Sequence, residues 1–120
     1  MATKEIIEAY LNAWNEPDES RRRQLLDKAW ADSGTYTDPT SDIAGRDALV
    51  ATIAQFHKQM PGASIVLGSG IDEHHRRVRF AWKVRAQDGS TPVEGIDVGQ
   101  LAGDGRLQSI VGFWGSPPPA

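Results

Sequence analysis

The sequence predicts an α+β domain in which helices near the N-terminus pack against an antiparallel sheet formed by the second half of the chain. Three observations carry this prediction. Apolar residues recur at helical spacing up to about residue 60, and from there they alternate with polar residues. Two turns, Asp88-Gly89 and Gly103-Asp104-Gly105, separate the alternating stretches as hairpin turns do. Helices followed by hairpin-linked strands are typical of an α+β domain.

Three helices are predicted. The first, TKEIIEAYLNAW, has Thr3 as its predicted N-cap, and Pro17 prevents it from continuing. The second, ESRRRQLLDKAWAD, is capped by Asp18, and we interpret its Arg21-Arg22-Arg23 run as a solvated face. The third runs from Gly45 to Gln59. The first helix has one apolar stripe, which comprises Ile6, Ile7, Tyr10, Leu11 and Trp14.

The predicted strands begin with a short run in which Tyr36 and Asp38 share a face before Pro39 ends it. The others are ASIVLGSGI, RRVRFAWKVRA, TPVEGIDVGQLA and RLQSIVGFW. The alternation of apolar and polar residues along them implies that one face of the sheet is exposed to solvent and that the helices cover the other. Glycines within these strands would let the sheet curve around a pocket; they are Gly68, Gly70, Gly95, Gly99 and Gly112. Residues 1–115 form one predicted domain and residues 116–120 a Pro-rich tail.

Composition excludes several classes of function. The net charge is −3 and the pI is near 5.5, so we expect no nucleic-acid partner. Cysteine is absent, which excludes disulfides and a cysteine nucleophile. Neither a signal peptide nor a membrane-spanning run is recognisable, so we expect a cytoplasmic protein without a membrane partner. No metal site is predicted, because adjacent His74 and His75 point to opposite faces and belong at the surface or a dimer edge.

The order of these motifs resembles the nuclear-transport-factor-2-like (NTF2-like, or cystatin-like) superfamily of cone-shaped proteins. GTYTDPTSDIAGRDAL resembles its strand, Asp-Pro and helix start, and GIDVGQLAGDGRLQSIVGFWG is similar to its last hairpin. DEHHRRVRFAW looks typical of the SnoaL-like polyketide cyclase branch. The resemblance implies a strongly curved, mainly antiparallel sheet around the N-terminal helices. It also implies an apolar small-molecule ligand, no cofactor and a homodimer.

Three residues match the catalytic set of ketosteroid isomerase, a member of this superfamily. The resemblance implies that Asp38 is a general base, and that Tyr10 and a protonated Asp97 donate to the oxyanion. The chain also departs from the isomerases: the stretch between Tyr10 and Asp38 looks longer, and Ile53 stands where they have a second tyrosine. We expect His57, one turn later, to reach the pocket instead.

The same three residues also have purely structural interpretations, which the sequence leaves open. Asp38 can open a turn before Pro39, and Tyr10 can be an ordinary core aromatic. Asp97 can point outward and pair with an arginine, Arg79 or Arg106. If Asp97 points into an apolar cone, however, desolvation raises its pKa, which suits a carboxyl that keeps its proton.

The aromatic residues on inward-facing positions predict the lining of the pocket: Trp14, Tyr36, Phe56, Trp82 and Trp114. Three functions are compatible with such a pocket. They are proton transfer on an apolar carbonyl compound, a polyketide-cyclase aldol closure, and ligand binding or dimerisation without catalysis. We expect a homodimer to form through the strand face that carries Arg77, Arg79, Ala81, Lys83 and Arg85.

Overall fold

The computed structural model describes residues 1–120 and contains three helices and seven strands. In chain order they are α1 (Thr3–Asn15), α2 (Glu19–Ala29), β1 (Trp30–Asp38), β2 (Ser41–Ala44), α3 (Arg46–Gln59), β3 (Ser64–Leu67), β4 (Asp72–His74), β5 (Arg77–Arg85), β6 (Val93–Leu101) and β7 (Leu107–Trp114). One curved sheet has the order β2-β1-β7-β6-β5-β3, and β4 pairs with β5. All pairs are antiparallel except β1 with β7, which is parallel. The predicted α+β arrangement is confirmed.

Two helix boundaries differ from the prediction. Ala2, not Thr3, occupies the N-cap position of α1, and Thr3 is already helical. The second helix ends at Ala29, and Trp30 begins β1 instead of extending the helix. Trp30 lies opposite Leu107 of β7, so tertiary pairing overrides the local helical spacing there. Its buried ring stacks on Tyr10, with 5.6 Å between the ring centroids.

The core lies between the helices and the inner face of the sheet. Strand β5 shows the alternation most clearly, since it buries Val78, Phe80, Trp82 and Val84. The residues between them are arginine or lysine apart from Ala81, and these charged side chains are exposed. None of the three helices is long and apolar enough to cross a membrane.

Arg22 is buried, contrary to the prediction of a solvated run, and exposes 3 % of its surface. Its guanidinium donates to the carbonyl oxygen of Glu16 at 3.0 and 3.1 Å and to that of Pro17 at 3.2 Å. A longer bond, 3.4 Å, reaches the carbonyl oxygen of Val50 in α3. Arg22 therefore links the end of α1 to α3, whereas its neighbour Arg21 is exposed as predicted.

Replacing Arg22 by methionine should destabilise the fold by about 2–4 kcal/mol, because buried carbonyl groups lose their donors. The free energy of unfolding, measured in urea, reports this change. Arg21→Met is the matched control and should stay within about 0.5 kcal/mol of the wild type, as exposed substitutions do. Equal unfolding midpoints for the two variants would show that the Arg22 bonds do not hold the helices together.

Candidate active site

A cavity of about 360 Å³ opens between the helices and the inner face of the sheet. Eight of the nine residues selected from the sequence line it: Tyr10, Trp14, Tyr36, Asp38, Phe56, Trp82, Asp97 and Trp114. The ninth, His57, lies outside this lining. Its Nε2 donates to the carbonyl oxygen of Trp14 at 2.8 Å, so His57 ties α3 to α1 instead of reaching the cavity as expected.

Aromatic rings form a large part of the cavity wall. Trp14 lies against Tyr36 and edge-on to Phe56, with ring centroids 5.5 and 5.7 Å apart. Trp114, at the end of β7, is 44 % exposed and so lies at the edge of the cavity. Sequence reasoning missed the polar part of the lining, namely Thr40, Ser41, Thr52, Gln55 and Gln59. The spacing of the last three on α3 was the available signal, since it places them on one helix face.

Asp97 points inward from β6 and exposes only 6 % of its surface. The indole Nε1 of Trp82 donates to its Oδ1 at 2.9 Å. Burial raises the pKa of Asp97 to about 7, the Trp82 bond opposes this rise, and the charge of Asp38 adds to it. The inward orientation excludes the alternative in which Asp97 pairs with an arginine on the outer face.

Two glycines make room for the Trp82–Asp97 pair. A Cβ at Gly95 would lie 2.7 Å from the Trp82 indole and 2.1 Å from the carbonyl oxygen of Phe113. A Cβ at Gly112 would lie 2.7 Å from Oδ1 of Asp97. All three distances are below 3.0 Å, closer than Cβ atoms approach their neighbours, so these glycines make room for the site as well as allowing the sheet to bend.

Asp38, at the end of β1, accepts three hydrogen bonds. The Tyr36 hydroxyl donates to Oδ2 at 2.6 Å, and the backbone N–H and hydroxyl of Thr40 donate to Oδ1 at 2.8 and 3.2 Å. The Thr40 bonds are the turn-opening contacts, whereas the Tyr36 bond orients the carboxyl group at the cavity. Burial and the bond to Asp38 raise the pKa of Tyr36 well above its usual value, so Tyr36 keeps its proton and stays a donor.

Tyr10 combines a core position with a place in the cavity wall. It is 1 % exposed, and burial followed by the charge of Asp97 raises its pKa well above the usual value. Its hydroxyl therefore remains protonated and able to donate. The hydrogen bonds of Asp38 and Asp97 go to other partners, so Tyr10 is not bonded to either acid.

The cavity is acidic. Its lining includes two aspartates but no lysine, arginine or histidine. No group of three or more histidine, aspartate or glutamate side chains is arranged to hold a metal ion. The side chains present can donate, accept and transfer protons next to apolar walls.

Residues 7–110 match the family model of the SnoaL-like domain. The chain belongs to the SnoaL-like family. A crystal structure from Agrobacterium tumefaciens strain C58, provisionally named an isomerase of the SnoaL-like family, is 37 % identical to this member. The similarity covers 92 % of this chain and 95 % of that one, with a TM-score of 0.87.

Two further crystal structures share the fold of this SnoaL-like chain at low identity. An NTF2-like protein of unknown function from Exiguobacterium sp. 255-15 is 18 % identical over 93 % of this chain and 99 % of that one, with a TM-score of 0.74. A provisionally named SnoaL-like polyketide cyclase from Jannaschia sp. CCS1 is 14 % identical over 96 % and 94 %, with a TM-score of 0.68. These likenesses confirm the predicted NTF2-like fold. No protein with a curated description matches the sequence.

Asp97→Asn should stabilise the protein at alkaline pH. In the wild type, the folded-state pKa of about 7 lies above the unfolded value, so the contribution of Asp97 to stability is full below about pH 4 and is lost as pH rises from there through 7. Asparagine stays neutral and still accepts the Trp82 bond. Between pH 4 and 8.5, the unfolding free energy in urea should change in the variant's favour by roughly 4 kcal/mol. If the unfolding free energies of the two proteins changed with pH by the same amount, this prediction would be wrong.

Proposed function

We propose that this SnoaL-like protein is a cofactor-independent acid–base enzyme that transfers a proton on an apolar carbonyl compound, as ketosteroid isomerase does. The observation that carries the proposal is the pairing of two acids in contrasting surroundings within one cavity. Asp38 accepts three hydrogen bonds at a turn, whereas Asp97 is buried with a pKa raised by desolvation to about 7. Contrasting environments for two carboxyl groups are how enzymes separate a base from an acid.

In this proposal Asp38 removes a proton from the carbon next to the substrate carbonyl and returns it to another carbon. Tyr36 and Thr40 hold both of its oxygens, so the carboxylate has a fixed orientation. Oδ1 of Asp97 is engaged by Trp82, which leaves Oδ2 to carry the proton. Protonated Asp97 and Tyr10 then donate to the carbonyl oxygen as it gains negative charge.

The walls of the cavity are suited to an apolar substrate. Trp14, Phe56 and Trp82 exclude water from one side of the site, and hydrogen bonds to a developing oxyanion are stronger where the dielectric constant is low. A volume of about 360 Å³ lies within the range of cavities that bind small molecules. A cyclic ketone with few charged groups fits these properties.

The polar part of the lining favours a second candidate, a polyketide cyclase. Thr40, Ser41, Gln55 and Gln59 offer hydroxyl and amide groups along the cavity, and polyketides carry several carbonyl and hydroxyl groups. Asp38 would remove a proton from one carbon, and the resulting carbanion would attack a second carbonyl of the same molecule. Tyr10 and Asp97 would donate to the oxygen of the attacked carbonyl.

Asp38→Asn should abolish turnover of an unconjugated enone and solvent-deuterium exchange of its α-protons, while leaving phenol binding nearly unchanged. Asp97→Ala and Tyr10→Phe should each cost roughly 3–4 kcal/mol of transition-state stabilisation, because an oxyanion donor is lost. Trp114 lines the cavity wall without a bond to either acid. Trp114→Phe is therefore the control and should change KM more than kcat.

Retained exchange in Asp38→Asn would show that Asp38 is not the base. A wild type that binds phenols but exchanges no proton of any ketone would leave the protein as a binding protein without catalysis.

We also propose that the predicted homodimer forms through the outer face of β6 and β7, next to the β5 face that the sequence indicated. Ile96 lies opposite Phe113, and Val98 opposite Val111, in two adjacent cross-strand pairs. Each of these four side chains is between 38 and 64 % exposed. A contiguous exposed apolar patch on a small domain marks an interaction surface.

The charges around this patch suit a second copy of the same chain. Lys83 and Arg85 of β5 lie on one side, and Asp42 of β2 lies on the other, beyond β1. A two-fold axis parallel to the strands would place the basic side of one copy against the acidic side of its partner.

Val98→Asp should convert the dimer to a monomer at micromolar concentration, since it would bury a charge in an apolar interface. Sedimentation equilibrium measures the change in mass. Asn12→Asp adds the same charge at an exposed position of α1 and should leave the dimer intact. A wild type that sediments as a monomer would refute the proposed interface.

A further inference from the structure

We propose that the cavity also binds organic cations, with an ammonium group held between Asp38 and Asp97 and enclosed by aromatic rings. The proposal depends on the shape and charge of the cavity and does not depend on the reaction proposed above. It assigns a second class of ligand to the same cavity, namely tertiary or quaternary ammonium compounds with an apolar body.

The charge of the cavity is unbalanced, which favours a cationic ligand. Asp38 and Asp97 both line the cavity and lie on either side of Gly112: a Cβ there would lie 2.7 Å from Oδ1 of Asp97 and 3.7 Å from Cβ of Asp38. No cationic side chain lies among the lining residues to offset them. Two like charges in a desolvated site raise each other's free energy, and a cation between them removes this cost.

Aromatic side chains surround the cavity. Six aromatic side chains line the cavity, and three of them are tryptophans, the ring type that attracts cations most strongly. Trp14 contacts both Tyr36 and Phe56, so these three rings present a continuous aromatic surface on one side. Aromatic cages of this kind recognise quaternary ammonium groups because the ring faces carry negative electrostatic potential.

The cavity is large enough to hold such a ligand. An apolar cavity of about 150 Å³ is enough to hold benzene. The cavity here is about 360 Å³ and is open at the edge where Trp114 lies, so a phenyl ring that carries a trimethylammonium group fits within it.

Cation binding should depend on pH through Asp97. The titratable groups that face Asp97 are Asp38 and Tyr36 from β1 and Tyr10 from α1, while α3, β5 and β7 present only uncharged side chains to the cavity. Both tyrosines have pKa values well above their usual ones, and the pKa of Asp97 is raised by burial to about 7. Ionisation of Asp97 therefore adds one negative charge to the cavity between pH 6 and 8. A neutral carbonyl ligand is favoured when Asp97 is protonated, and an ammonium ligand when it is ionised.

The test compares two molecules of the same shape, trimethylphenylammonium and uncharged tert-butylbenzene. Quenching of tryptophan fluorescence gives their dissociation constants at pH 6 and pH 8. We expect the cation to bind at least 10-fold more tightly than its isostere at pH 8, and this advantage to shrink several-fold at pH 6. Equal affinities at pH 8, or an advantage that does not change with pH, would overturn the proposal.

Two variants test whether the charge of Asp97 itself holds the cation. Asp97→Asn should weaken binding of the cation about 10-fold at pH 8 and abolish its pH dependence, with tert-butylbenzene unaffected. Asp72→Asn removes an exposed carboxylate from β4 and should change neither ligand, which controls for net charge. If both variants weaken cation binding equally, the cation is held by the overall charge of the protein and the proposed site is wrong. Because neither ligand is a ketone, these results are independent of whether the protein catalyses enolisation.

Discussion

The hydrogen bond from the Trp82 indole to Asp97 is the interaction on which the candidate site depends. It joins two buried side chains on neighbouring strands and gives the carboxyl group its one protein donor. A buried carboxylate without a cationic partner is costly, so the proton stays on Asp97 to a higher pH than on an exposed aspartate. This single proton decides whether Asp97 donates a hydrogen bond to a ligand or presents a negative charge to it.

The sheet is built so that this bond can form. Trp82 stands opposite Gly95 and Asp97 stands opposite Gly112, and in each case the missing Cβ leaves space for the partner strand's functional side chain. The second acid, Asp38, lies at the end of β1. Tyr36, two residues earlier on the same face of the strand, donates a hydrogen bond that orients it. Each acid is thus oriented by an aromatic donor, and the two donors come from strands whose register is fixed by burial.

Much of the fold could be predicted from hydrophobic periodicity, because most residues of this chain follow the spacing of their own element. Asp97 alternates in step with the buried residues Gly99 and Leu101 of β6, so it faces inward. Two of the failures arise because long-range contacts override the local pattern: Trp30 pairs with β7, and Arg22, in the middle of a basic run, donates to the Val50 carbonyl of α3. His57 has helical spacing suitable for the cavity, but its ring turns to the Trp14 carbonyl. The Trp82–Asp97 bond could not be read from sequence, because it needs the register between β5 and β6.

The central claim is that the proton on Asp97 is held by burial and tuned by Trp82. The most direct measurement is a carbon-13 NMR titration of the Asp97 side-chain carboxyl in the wild type and in Trp82→Phe. The midpoint should lie near 7 in the wild type and should rise in the variant, because the lost donor favoured the ionised form. A wild-type midpoint near 4, the ordinary value for an exposed aspartate, would contradict the claim.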